Sequence, residues 1–174
     1  MGAEVIDVDD EHLVGSYSAL LVLMWGARTR AEKLANVIAQ GKEFLARWPR
    51  IAALILVEPD SELPDKEARK KLEEFAQLLL PKTVAAVYVY EGKGIRATAT
   101  RTLMTMLMLV GPSTVKQYKV TRTLDEALDW LVPYLAGPEF GSEAERRRAV
   151  MSLHRHFVEY RAAKPEDRSR ELSP

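Results

Sequence analysis

Two nearly unbroken apolar runs, Ile51–Val57 (IAALILV) and Thr83–Tyr90 (TVAAVYVY), constrain this chain more than any other feature. Consecutive side chains of a strand point to opposite sides of a sheet, so an all-apolar strand must be covered on both faces. That arrangement belongs to parallel sheets sandwiched between helices, and the segments between the runs have the matching helical period. Leu34, Ile38, Gly41, Leu45 and Trp48, with Val37 and Phe44 beside them, fall on one helical face, and Pro49 ends the segment. After the polar break Glu58-Pro59-Asp60-Ser61-Glu62-Leu63-Pro64, a second helix places Ala68, Leu72, Phe75 and Leu79 inward and Lys66, Lys70, Lys71 and Glu74 outward, with Pro81 as its stop.

The flanks extend the same alternation. Glu4–Val8 alternates weakly, Asp9-Asp10-Glu11 reads as a turn, and Leu13–Trp25 reads as further strand, with Gly15 a bulge or turn. That makes two or three strands before the first helix. A third helical segment is expected over about 95–110, closed by Gly111-Pro112, followed by an edge strand over Val115–Val120. Leu124, Leu128, Leu131 and Leu135 then mark a fourth helix, and Val150, Leu153, Phe157 and Tyr160 a C-terminal one whose apolar face must dock somewhere. Three pairs have capping-box spacing at helix starts: Thr29 with Glu32, Thr123 with Glu126, and Ser142 with Glu145. The expected fold class is α/β, a mostly parallel sheet of about four to six strands with an antiparallel N-terminal pair. Its order is β-β-α-β-α-β-α-β-α plus the extra C-terminal helix. The expected division is an α/β domain over 1–137, a helical extension over 138–163 and a charged, disordered tail over 164–174.

This order, with the turn Trp25-Gly26-Ala27 and the segment Asp125-Glu126-Ala127-Leu128-Asp129-Trp130-Leu131, resembles the STAS-like domains, the fold of bacterial anti-sigma factor antagonists. The resemblance spans roughly Val5 to Leu135. It implies a non-enzymatic regulatory module that binds another protein through the loop and helix after the central strand. In that family the loop carries an Asp-Ser pair followed closely by glycine, and the serine is phosphorylated to release the partner. The corresponding residues here are Asp60-Ser61, but Glu62 and Pro64 follow and the glycine is missing. This departure counts against phosphorylation of Ser61, as do Glu58, Asp60 and Glu62, which would repel a phosphate. As a turn or capping residue, Ser61 needs no further role.

Composition narrows the alternatives. Lys and Arg total 25, as do Asp and Glu, so the chain has no net field to attract nucleic acid or an anionic membrane. It contains no cysteine, which removes thiol nucleophiles and thiolate metal sites and suits a reducing cytoplasm. The longest apolar run, Ala19–Trp25, is too short for a membrane span, and residues 1–11 lack the order of a secretory signal. His154 and His156 point to different helix faces and His12 sits in a polar turn, so neither a metal nor any other cofactor is expected. Arg146-Arg147-Arg148 with Arg155 and Arg161 offers a contact for an acidic partner, but the interleaved Glu143, Glu145 and Glu159 favour a solvated helix face.

Three segments have functional readings beside plain structural ones. Gly92-Lys93-Gly94-Ile95-Arg96 opens a helix, where Lys93, Gly94 and Arg96 would hold an anion, or it is simply a flexible turn. Leu103–Val110, with Met104 and Met108, is apolar all round. It serves as an internal helix, a homodimer surface, a partner-binding surface, or the lining of a cavity for an apolar ligand or lipid. Glu58 and Glu91 end strands where α/β sheets place ligands, but no nucleophile or oxyanion device accompanies them. The expected partner surface is therefore Glu58, Asp60, Ser61, Glu62 and Pro64, with Met104 and Met108.

Overall fold

The structure, a computed structural model, describes residues 2–26, 29–62, 64–92, 94, 98 and 117–163. Among these, six strands form one mixed sheet: β1 (Glu4–Val8), β2 (His12–Tyr17), β3 (Leu20–Trp25), β4 (Ile51–Val57), β5 (Thr83–Tyr90) and β6 (Tyr118–Thr121). Their spatial order is their chain order. β1, β2 and β3 pair antiparallel, and β3 through β6 pair parallel. The expected antiparallel pair is thus a three-stranded meander. The helices are α1 (Ala31–Arg47), α2 (Lys66–Leu79), α3 (Leu124–Leu131) and α4 (Glu143–Ala162).

Side-chain alternation in the central strands divides the core in two. Leu20, Val22 and Met24 of β3, Ala52, Leu54 and Leu56 of β4, and Ala85, Val87 and Val89 of β5 pack with Leu124, Leu128 and Leu131 of α3 and Val150, Leu153 and Phe157 of α4. The alternate residues, including Leu21, Leu23, Ile51, Ala53 and Ile55, pack with Leu34, Val37 and Phe44 of α1 and Ala68, Phe75 and Leu79 of α2. The double burial that the apolar runs demand is therefore supplied by one helix pair on each face.

Local chemistry fixes where the helices begin and end. Ser142 and Glu145 form a full capping box at α4. At α3 the Thr123 hydroxyl accepts from the Glu126 N–H, while the Glu126 carboxylate reaches the Arg122 N–H instead of completing the box. At α1 the expected box does not form. The cap position is Arg30, without a side-chain cap of its own, and Thr29 is buried. The carboxylate of Glu11, from the β1–β2 turn, accepts from the Arg30 N–H instead. At the other end of α1, the Lys82 ammonium donates to the carbonyls of Leu45 and Trp48, which would otherwise lack partners in the last turn.

Two glycines mark close approaches. A Cβ on Gly15 would lie 2.8 Å from a methyl of Leu153, so Gly15 lets α4 settle onto β2. The irregularity beside it lies in β1, between Val5 and Asp7, and the β2–β3 turn is made by Ser18 at φ 51°. A Cβ on Gly41 would lie 2.3 Å from the Phe75 ring, so α1 and α2 meet there.

Arg146 corrects the reading of its triplet as a solvated face. It is only 6% exposed, and its guanidinium donates to the carbonyls of Leu135, Phe140 and Gly141, bracing the α3–α4 connection. Arg147 pairs with Asp125 and Asp129 of α3. The third helical segment expected over 95–110, the Gly111-Pro112 stop, the start of the Val115–Val120 strand and the 164–174 tail lie outside the described residues.

Because Phe157 is fully buried among residues of β2, β3 and α3, Phe157→Ala should cost about 3–5 kcal/mol of unfolding free energy. Urea denaturation checks this. A loss below about 1 kcal/mol, the range of changes outside a core, would mean that α4 is not a core element.

Candidate functional site

The edge of the sheet at which the parallel strands end collects most of the chemically active side chains. Strand pairing sets one row of residues across it: His12 opposite Trp25, Trp25 opposite Val57, and Val57 opposite Tyr90. Ligands of α/β proteins gather at this edge because the connecting loops there vary while the strands hold them in place. The two crossovers described, through α1 and through α2, leave in the same direction and cover the same face. The crevice formed where successive crossovers diverge is therefore absent between β3, β4 and β5. What the edge offers instead is a surface of loops joined by ion pairs.

The loop after β4 lies at its centre. The Glu58 N–H donates to the Trp25 carbonyl and the Ser61 N–H to the Glu58 carbonyl, which folds Glu58–Ser61 into a turn against β3. The Tyr90 hydroxyl donates to the Pro59 carbonyl across the end of β5. Two residues of α4 clamp this turn. His154 Nε2 lies 3.5 Å from Glu58 Oε1, and Arg161 Nη2 donates to Asp60 Oδ2 at 2.8 Å. The Arg161 guanidinium is stacked over Phe157 and presses on Gly26, where a Cβ would lie 2.4 Å from Cζ.

The expected site residues divide accordingly. Glu58 is mostly buried, whereas Asp60 and Glu62 are exposed. Ser61 is half-buried in the turn, and its hydroxyl meets the Glu62 carbonyl. It does not cap the following helix. Asp65 does, accepting from the Ala68 N–H, so a phosphate on Ser61 would not begin at the α2 N-terminus. Pro64 is half-buried and its carbonyl accepts from Arg69. Glu91 caps α3, accepting from the Leu124 N–H. Gly94 adopts the left-handed φ of 81°, whereas Lys93, Arg96, Met104 and Met108 lie outside the described residues.

A second cluster on the same edge was not legible in the sequence. His12 is no loose turn residue. It is the first residue of β2, only 3% exposed, held between Asp7 at 3.2 Å and Asp9 at 3.1 Å with the Trp25 ring against it. Lys33 of α1 reaches Asp9 and Asp10, Arg30 pairs with Glu11, and Asn36 donates to Asp7. Burial opposes the charge on His12, but Asp9 and Asp7 outweigh it and raise its pKa. Burial likewise pushes Glu11 up, against the pull of Lys33 and Arg30. Burial would raise Asp9 too. His12 and Lys33 prevail and hold its carboxyl well below the usual range.

The signal for the α4 residues was present in the helix register. Val150, Leu153 and Phe157 define the buried stripe, and His154 and Arg161, seven apart, fall together on its flank. His156 lies on the exposed face. Among the described residues, no three His, Asp or Glu side chains are arranged to hold a metal ion, and no helix is long and apolar enough to cross a membrane.

No family model, curated protein or solved structure matches this chain.

Asp9 accepts from the N–H groups of Glu11 and His12 as well as from the two cations. Asp9→Asn should therefore lower stability at neutral pH by about 1.5–3 kcal/mol, the range for charge-assisted hydrogen bonds. The sign with pH follows from the depressed carboxyl. Its contribution is complete above the unfolded value near 3.8 and fades as pH falls below it. Denaturation curves of the two proteins should converge as the pH drops below about 4, and a constant gap down to pH 2 would contradict this assignment.

Proposed function

We propose that this chain is a non-catalytic regulatory module that binds another protein through the loop after β4, in the manner implied by its resemblance to the STAS-like domains. One observation carries the reading. The loop Glu58–Glu62 presents exposed Pro59, Asp60 and Glu62 while His154 and Arg161 fasten its turn to α4. A loop held this way loses little conformational freedom on binding, which is how a small surface gains affinity. The element order supports the resemblance, with its antiparallel start followed by strand–helix repeats.

The chemistry of the edge points the same way. Glu91 and Asp65 are committed to capping helices, and Glu58 and Asp60 to holding α4. Their roles are structural, and the exposed charge left around the loop is mixed, with Glu62 and Glu67 beside Lys66, Arg69 and Lys70. A partner presenting charges of both signs complements it, and such rim charges act chiefly on association rate and salt dependence. Ser61 needs no phosphate to complete this surface.

A photo-crosslinking residue at position 62 tests the reading, with the same residue at Arg50 as control. Arg50 is exposed just before β4, at the opposite edge of the sheet. Irradiation of the host cell should yield one discrete adduct from position 62 and none from position 50. No adduct from position 62, or the same adducts from both, overturns the reading.

A further inference from the structure

We propose that His154 and Glu58 form a proton-operated latch: a protonated His154 adds a second tie between α4 and the loop after β4, and its neutral form gives that tie up. The inference deepens the binding reading, since the loop it controls is the proposed partner surface.

The geometry gives α4 two unlike attachments to this loop. The Arg161–Asp60 pair keeps its cation at every physiological pH, because a guanidinium does not lose its proton there. The His154–Glu58 pair does not, because an imidazole changes charge between about pH 5 and 8. Both partners are largely withdrawn from water, with His154 28% and Glu58 18% exposed. Glu58 Oε1 is fully buried, and the imidazole 3.5 Å away is its one ion-pair partner among the described residues. Deprotonation of His154 therefore leaves that buried oxygen facing a neutral ring.

Among the described residues, two carboxylates face His154 from the elements that α4 packs against: Glu58 from the loop after β4 and Glu91 from the loop after β5. On α4 itself, Arg161 lies two turns further on and is held by Asp60. The Glu58 contact favours the charged ring most, burial opposes it, and the charges of Glu58 and Glu91 add to the first effect, so the His154 pKa is raised above 6.5. The sign follows. The attachment is complete below the ordinary histidine value and is lost as pH rises through the raised one.

The test uses the isolated full chain, so its outcome does not depend on whether a partner exists. Histidine ring resonances are followed by NMR from about pH 5 to 9, with the His154 signal assigned by its absence in His154→Gln. The expected midpoint lies above the ordinary value of 6.5. Glu58→Gln should weaken proton binding by about tenfold, which is one pH unit. Amide exchange of residues 157–162, corrected for the intrinsic effect of pH, should lose about tenfold in protection across the same midpoint in wild type and show no such step in Glu58→Gln. A wild-type midpoint at or below 6.5 overturns the proposal. So does a raised midpoint with unchanged protection, which would make the pair a static contact. Failure of crosslinking at position 62 would remove the partner surface and leave the latch standing.

Discussion

The coverage of β3, β4 and β5 on both faces is the constraint on which the rest of the structure depends. Each strand contributes alternate side chains to two separate apolar clusters, so neither face can be left to water. Burying one such aliphatic side chain is worth roughly 1.5–3 kcal/mol, and every apolar residue from Ile51 to Leu56 is buried. α1 and α2 cover one face because they are the crossovers themselves. The other face has no described crossover to cover it and relies on helices that come later in the chain. α4 is thus drawn into the core by a demand set about a hundred residues earlier.

That dependence explains which parts of the fold were legible in the sequence. β4 and β5 fall at the expected residues because a strand buried on both faces writes its whole length as apolar sequence. The inward faces of α1, α2 and α4 follow from periodicity for the same reason. The failures share a different cause, for each concerns a partner that neither helix nor strand periodicity reveals. Thr29 and Glu32 have the spacing of a capping box, but Glu11 reaches the α1 N-terminus from the β1–β2 turn. Gly15 reads as a turn glycine until Leu153 is known to lie above it. Arg146 looks solvated in a run of arginines because its acceptors are carbonyls, and backbone oxygens leave no mark on a sequence pattern.

The candidate site was legible to the same degree. Glu58, Asp60 and Ser61 were recognisable from their place after a buried strand, whereas His154 and Arg161, about a hundred residues away, gave only a shared helix flank. His12 was harder still. A histidine beside Asp9-Asp10-Glu11 reads as solvated, yet antiparallel pairing carries it into the sheet opposite Trp25. Once there, burial would strip its charge, and Asp7 and Asp9 restore it. Local sequence shows the acids but not the direction in which the strand turns.

The two histidine clusters occupy one edge yet behave differently, and the difference lies in how many groups share each charge. Around His12, two carboxylates accept the ring, while Lys33, Arg30 and Asn36 hold the surrounding acids in place. Loss of one proton there still leaves the acids with cationic and neutral donors, so the network can absorb it. At His154, Glu58 Oε1 has the imidazole as its one described charged partner, and the contact bridges a loop and a helix instead of two residues of one hairpin. A proton lost there changes how two elements are joined. A proton at this contact changes one of the two ties between α4 and the loop, and α4 carries that change from the edge of the sheet into the core through Phe157, one turn from His154.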